Sequence, residues 1–242
     1  GVDHIDVAQI RSRSLVGDID RMLERQIPDR EGLILGITGL DASLVFMIQL
    51  GEAANQEISR RSYHTLCQKR QGTAGDDQIL KLELLMKQAG VTIDDRAVVS
   101  AANTKAETTG EPAAAIQLPD GRVLTGRTST LLGASSALLL NALKALAGIP
   151  DEVQLISPTA IGPIQDLKTN YLGNRNPRLH TDETLIALSI CAATNPMAQM
   201  AMEQLSKLRG CEVHSSVILS AVDERTFKRL GVNLTCEPIL KK

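Results

Sequence analysis

Aromatic side chains are nearly absent: two Tyr, two Phe and no Trp in 242 residues. So small a supply excludes the stacking platforms on which single-stranded nucleic acids are held. It also leaves the core to Leu, Ile, Val, Ala and Met. A surplus of either charge is missing too. Lys and Arg number 26 against 28 Asp and Glu, a formal net charge of −2, which argues against a broad nucleic-acid surface. No apolar run is long enough to span a membrane, and no secretory leader is evident. Cys67, Cys191, Cys211 and Cys236 form no CxxC pair. Small buried thiols in a reducing, cytoplasmic compartment are therefore expected, and the Asn233-Leu234-Thr235 sequon has no significance there.

Familiar catalytic and nucleotide signatures are missing as well. There is no G-x-x-x-x-G-K-[ST], H-E-x-x-H, EF-hand loop or G-x-S-x-G, and Gly36-Ile37-Thr38-Gly39 is only a fragment of a glycine-rich loop. What is present is an ordinary globular composition, 43% hydrophobic and 22% charged, long enough for one large core or two small ones. The first residues, Gly1-Val2-Asp3, lack a Met, as a processed or shortened piece of a longer protein would.

Helical spacing of apolar residues predicts one or two helices over 4–27, then a buried strand at 32–38. A long helix is expected over roughly 42–70, with Gly51 a candidate break and its charged half, 56–70, read as a solvated face. A helix over 76–89 is closed by Gly90. AVVSAA at 97–102 reads as a strand that delivers the polar segment 103–112. Residues 113–118 and 122–125 form a hairpin about Pro119-Asp120-Gly121, where proline presets φ and glycine permits φ > 0.

A helix is expected from about Ser129 to Ala147, slim at Gly133, Ala134, Ser135 and Ser136, so that something packs or binds close there. A short strand at 153–156 and a helix from Pro158 to Lys168 follow. Thr181 is the expected N-cap of a helix to about Asn195, and Pro196 starts another to Leu208. Residues 213–219, 223–230 and 232–236 then read as a βαβ unit with a parallel strand pair. The fold class is α/β: a mixed sheet with a β-hairpin and a C-terminal βαβ unit, flanked by helices. Two regions are expected, 1–95 (helical or α/β) and 96–242 (α/β).

The densest chemistry lies at 172–183, LGNRNPRLHTDE, between two predicted helices. Arg175 and Arg178 are suited to an anion, with Asn174, Asn176 and His180 beside them. The bland alternative is a surface tie, in which Pro177 stiffens a loop and Asp182 and Glu183 complement a helix dipole. At 126–130, GRTST, a strand enters a helix through Gly126, Arg127, Thr128, Ser129 and Thr130. Free N–H groups there suit phosphate or carboxylate. Plain capping by Thr128 or Ser129 is the favoured account on the sequence alone. Lys105, Glu107, Thr108 and Thr109 form a third polar group, and His214, Ser215 and Ser216 a fourth. His180, Asp182, Glu183 and His214 are metal-binding residue types without ligand spacing, and no metal is expected.

Long blocks of the chain resemble an uncharacterised bacterial family, the domain of unknown function numbered 1846. They are KAETTGEPAAAIQLPDGRVLTGRTSTLLGASSALLLNALKALAGI (105–149), LISPTAIGPIQDLK (155–168), LGNRNPRLHTDETLIALSI (172–190) and LRGCEVHSSVILSAVDERTFKRLGVNLTCEP (208–238). Residues 56–100 are similar more loosely, and 1–50 depart from the pattern. The resemblance implies a cytoplasmic protein corresponding to the C-terminal part of longer relatives, whose N-terminal part carries a phosphate-loop-like segment absent here. The label ATP-dependent peptidase attached to some members finds no supporting residues in this chain. The resemblance carries over no catalytic residue.

The resulting expectation is a cytosolic domain binding a small anionic ligand, phosphorylated ligands included, in a cleft lined by Lys105, Thr108, Arg127, Thr128, Ser129, Asn174, Arg175, Asn176, Arg178 and Ser215. His180 and His214 are the proton-transfer candidates if there is a reaction, because His titrates near neutrality. No cofactor is indicated, and neither nucleic acid nor membrane is an expected partner. The rival expectation is a structural or homo-oligomerisation module of a larger protein.

Overall fold

The computed structural model describes residues 39–92 and 96–240, with backbone alone at 39–50 and 52. The helices expected over 4–27 and the strand at 32–38 lie outside the described residues. The chain divides into two units after Ala53. Among the described residues there are eight α-helices and four strands, in the order α1 (Gly39–Arg70), α2 (Asp76–Ala89), α3 (Ala97–Thr109), β1 (Ala113–Gln117), β2 (Val123–Arg127), α4 (Ala134–Ala147), α5 (Pro158–Asp166), α6 (Thr181–Ala192), α7 (Pro196–Met202), β3 (Glu212–Ser215), α8 (Ala221–Leu230) and β4 (Asn233–Cys236).

The sheet is mixed, in the order β2-β1-β3-β4. β1 is antiparallel to both β2 and β3, and β3 is parallel to β4. The α/β class, the hairpin and the C-terminal βαβ unit are all present. β1 reads Ala-Ala-Ala-Ile because both of its faces are covered. Ala114 and Ile116 join the main core with Leu138, Leu139 and Leu143 of α4, Leu188 of α6 and Phe227 of α8. Ala115 packs on the opposite face against Val98 and Ala102 of α3. Gly126 allows α4 to lie directly on β2: a Cβ there would meet the Leu138 backbone nitrogen at 2.2 Å.

Several expectations are corrected. Residues 97–102 are the first half of α3, not a strand. Val98, Val99 and Ala102 bury one helical face, and a short apolar run does not reveal its period. Gly51 does not interrupt α1. The charged half of α1 is not a purely solvated face: Ser59, Ser62, Tyr63 and Thr65 are buried, and Arg60 turns inward to Glu212 at 2.7 Å. Residues 153–156 form no strand, although Leu155 and Ile156 join the core. α4 begins at Ala134 rather than near Ser129, because the Ser129 hydroxyl accepts from the backbone N–H groups of Leu131 (3.3 Å) and Leu132 (3.1 Å) and holds a turn there. The N-cap of α6 is His180, not Thr181. α5 runs into a π-helical turn, Leu167–Tyr171. α7 stops at Met202 before a 3-10 turn, Leu205–Leu208. β3 ends at Ser215, and residues 216–219 continue as a loop.

Candidate functional site

β2, β3 and β4 all run opposite to β1, so their C-terminal ends lie together beside the start of β1. Open α/β sheets bind ligands beyond the C-terminal ends of their strands. A cleft of about 490 Å³ occupies that position, between the segment after β2, the start of α4, residues 176–180, and the β3–α8 loop. Thr128, Gly133, Ala134, Ser135, Asn176, Arg178, His180, Ser220 and Asp223 are among its lining residues.

Three helix N-termini converge on it, and they differ in how they are satisfied. α8 is capped by Ser220, whose hydroxyl accepts from the Asp223 N–H at 3.2 Å. At α6, the Thr181 N–H and hydroxyl donate to Asp223 Oδ1 at 2.9 and 3.0 Å, and Glu183 Oε2 accepts from the His180 N–H at 2.8 Å. α4 is different. Its N-cap is Gly133, which provides no side-chain cap. Its first-turn N–H groups therefore carry the positive end of a 14-residue helix at the cleft wall. Beside it, the Thr128 hydroxyl is buried and without a hydrogen-bond partner among the described residues.

Arg178 is held by its Nε, which donates to the Ser129 carbonyl at 2.6 Å. Its terminal guanidinium nitrogens have no partner among the described residues. The loop is fixed from below by buried Lys168, whose Nζ donates to the Arg178 carbonyl at 2.6 Å and pairs with Glu183 at 2.7 Å.

His180 and Asp223 form the ionisable pair of the cleft. Nδ1 donates to Asp223 Oδ2 at 3.1 Å, and the Ser220 hydroxyl donates to the same oxygen at 2.8 Å. A carboxylate only accepts, so Nδ1 bears the proton and Nε2 is left as the second proton site. The Asp223 hydrogen bond pushes the imidazole above its ordinary range and outweighs burial. Burial would raise the Asp223 carboxyl, but the hydrogen bonds from His180, Thr181 and Ser220 hold it below the usual carboxylate range. The two shifts agree on an ion pair.

The fold brings Thr128, Asn176, Arg178 and His180 together in this cleft, with Ser129 beside it. The other expected site residues lie elsewhere. Arg127, at the end of β2, is exposed and donates to the Thr128 carbonyl at 3.5 Å. Asn174 and Arg175 are exposed in the loop. Lys105 and Thr108 stand on α3, where the Thr108 hydroxyl bonds back to the Thr104 carbonyl at 2.9 Å. Ser215 is buried in β3. His214 is buried as well, between Thr235 (2.9 Å) and Glu237 (3.1 Å), with the Tyr63 ring at 4.7 Å. Burial lowers its pKa despite the pull of Glu237. The four types considered for a metal do not gather, since Glu183 is engaged by Lys168 and His214 lies in that separate network. A second cavity, about 530 Å³ and lined by Asn103, Glu107, Glu111 and Glu237, adjoins the cleft at Pro112 and Val217.

Sequence reasoning missed Asp223, Ser220 and Lys168. The run Ser220-Ala221-Val222-Asp223 has the S-x-x-D form of a helix start, which would have marked Asp223 as a cap residue. Its pairing with a histidine 43 positions away is visible only in the fold.

The fold and cleft define an α/β domain with helices on both sheet faces and an Asp–His pair at the C-terminal ends of the strands. The chain belongs to the DUF1846 family: residues 94–242 match the model described as "Domain of unknown function DUF1846, C-terminal". It is 47% identical over 217 residues to a UPF0371 protein of Corynebacterium glutamicum, covering 90% of this chain and 44% of the relative. A UPF0371 protein of Corynebacterium urealyticum is 51% identical over 187 residues (77% and 38%), and one of Streptococcus pyogenes serotype M5 is 46% identical over 205 residues (85% and 42%). The chain thus spans less than half the length of the curated relatives it matches. Among the described residues no helix is long and apolar enough to cross a membrane.

Proposed function

We propose that this domain binds a small anionic ligand, phosphorylated ligands included, in the cleft beyond β2 and β3, and that it does so in the cytosol. The observation that carries the reading is the side-chain-uncapped N-terminus of α4 at a cleft that Thr128 also lines, with the Thr128 hydroxyl buried and unpartnered among the described residues. A helix N-terminus offers N–H donors and a favourable field to an anion. A buried hydroxyl without a partner is costly unless something else satisfies it. Arg178 adds a guanidinium whose terminal nitrogens are free to form a bidentate contact.

A melting screen with inorganic phosphate, sulfate, nucleotides and sugar phosphates tests this reading. A rise in Tm that is lost in Thr128→Val and reduced in Arg178→Ala supports it. No shift with any of them sinks it.

The second reading, a homo-oligomerisation module, has its own support. Tyr171, Leu172, Ile186 and Ile190 are 76, 65, 58 and 65% exposed, and exposed apolar side chains that gather into one patch mark interaction surfaces. A concentration-dependent mass in solution, without any ligand shift, favours that reading.

A further inference from the structure

The charges around the cleft balance in pairs, and one pair depends on a proton. Lys168 neutralises Glu183 at 2.7 Å. Among the described residues Asp223 is neutralised only by His180, at 3.1 Å, its other partners being the neutral Thr181 and Ser220. Arg178 and the α4 N-terminus remain as positive groups without a compensating charge among the described residues. With His180 protonated the wall is therefore net positive. With His180 neutral, Asp223 becomes a bare carboxylate beside the place where an anion would sit.

Resting on the anion-binding reading, we propose that the imidazolium of His180, set against Asp223, is the proton-carrying element of this cleft, so that the ligand is a dianionic group, phosphoryl or sulfuryl, taken up together with a proton. Nδ1 remains bound to Asp223 throughout. Nε2, which has no partner among the described residues, carries the proton that is gained. A dianion draws on both Arg178 and the imidazolium, whereas a monoanionic carboxylate needs only one. The charged groups acting on His180 are Asp223 from α8, Lys168 from the π-helical turn and Glu183 from α6, and Arg178 from its own loop lines the same cleft. Of these groups, His180 is the one whose ordinary range lies near neutrality.

Sulfate is the suitable probe because it stays dianionic across the range. Titration of the 242-residue chain with sulfate and with acetate, between pH 5.5 and 8.5, is expected to show sulfate bound more tightly than acetate. Sulfate affinity should fall on the order of tenfold as pH rises. Calorimetry in two buffers of different ionisation heat should register proton uptake. His180→Asn keeps an amide donor for Asp223 and a favoured N-cap, and should make the sulfate affinity independent of pH. Asp223→Asn should restore affinity at pH 8.5 toward the value at pH 5.5, which a merely structural role would not produce. His64→Gln, on the exposed face of α1, should leave the profile unchanged. Sulfate binding without pH dependence or proton uptake, a pH dependence that survives His180→Asn, or acetate bound as tightly as sulfate would each overturn the proposal and leave the anion site standing. No binding of either ion at any pH overturns the proposal, and if phosphate, nucleotides and sugar phosphates also give no melting shift it overturns the anion reading with it.

Discussion

Asp223 accepts hydrogen bonds from His180, from both donors of Thr181 and from Ser220, and so ties the starts of α6 and α8 together. The ionised pair makes stability depend on pH in a predictable direction. His180 is raised when folded, so its contribution is full below the ordinary histidine value and is lost as pH rises through the folded value. Asp223 is lowered, so its contribution is full above the ordinary carboxyl value and is lost as pH falls through the folded one. Both are complete between roughly pH 4 and pH 6.5. Thermal melts should accordingly show His180→Asn lowering Tm more at pH 5.5 than at pH 8.5. His214 acts oppositely. Its pKa is lowered by burial, so the unfolded chain binds the proton more readily, and stability drains away as pH falls below the ordinary histidine value. In His214→Gln that acid sensitivity should shrink, whatever the overall cost of the substitution. Thr128 provides a third residue-level test. Val matches its shape without the unpartnered hydroxyl, so Thr128→Val should stabilise the ligand-free protein by about 1 kcal/mol while weakening anion binding.

At the scale of elements, the close approach of α4 to β2 rests on one missing side chain. A Cβ at Gly126 would strike the Leu138 nitrogen at 2.2 Å, its Cα at 2.6 Å and the Ala134 carbonyl at 2.9 Å, all of them backbone atoms. Backbone cannot swing aside, so Gly126→Ala should destabilise by about 3 kcal/mol, read from denaturant unfolding, and should shift the start of α4 at the cleft. Much of this level was legible in the chain. Pro119-Asp120-Gly121 marked the hairpin, and Gly90 marked a helix end, in the left-handed conformation. Local chemistry decides such features. What was not legible depended on distant partners. AVVSAA is a helix because α3 lies along β1 and buries Val98 and Ala102 there. Ser129 holds a turn rather than starting a helix, with Arg178, 49 positions away, donating to its carbonyl. In the site, the loop at 176–180 and Thr128 stood out from residue type alone. Asp223 looked like an ordinary helix-start acid, since nothing near it in the chain indicates His180.

For the molecule as a whole, one acid joins three parts. Glu212, at the start of β3, pairs with Arg60 of α1 at 2.7 Å and with Arg96, just before α3, at 2.6 Å. Arg96 is almost fully buried and has two further partners, Gln56 and Thr235. Burial lowers the Arg96 pKa, against the pull of Glu212. Removing one member of such a group strands the other. Glu212→Ala should therefore cost about 3–5 kcal/mol, and Arg96→Met with Glu212→Leu together should cost less than the sum of the single changes in urea unfolding. The strand order carries a further consequence, one of time. β3 lies between β1 and β4, yet it follows the end of β1 by 95 residues (212 − 117). A ribosome adding about 5–20 residues each second completes the hairpin and then leaves the inner edge of β1 without its neighbour for about 5–20 s. β3 therefore joins β1 late and β4 adds to its outer edge later still, and the cleft, which needs the loop after β3, cannot take shape until that C-terminal unit has been made.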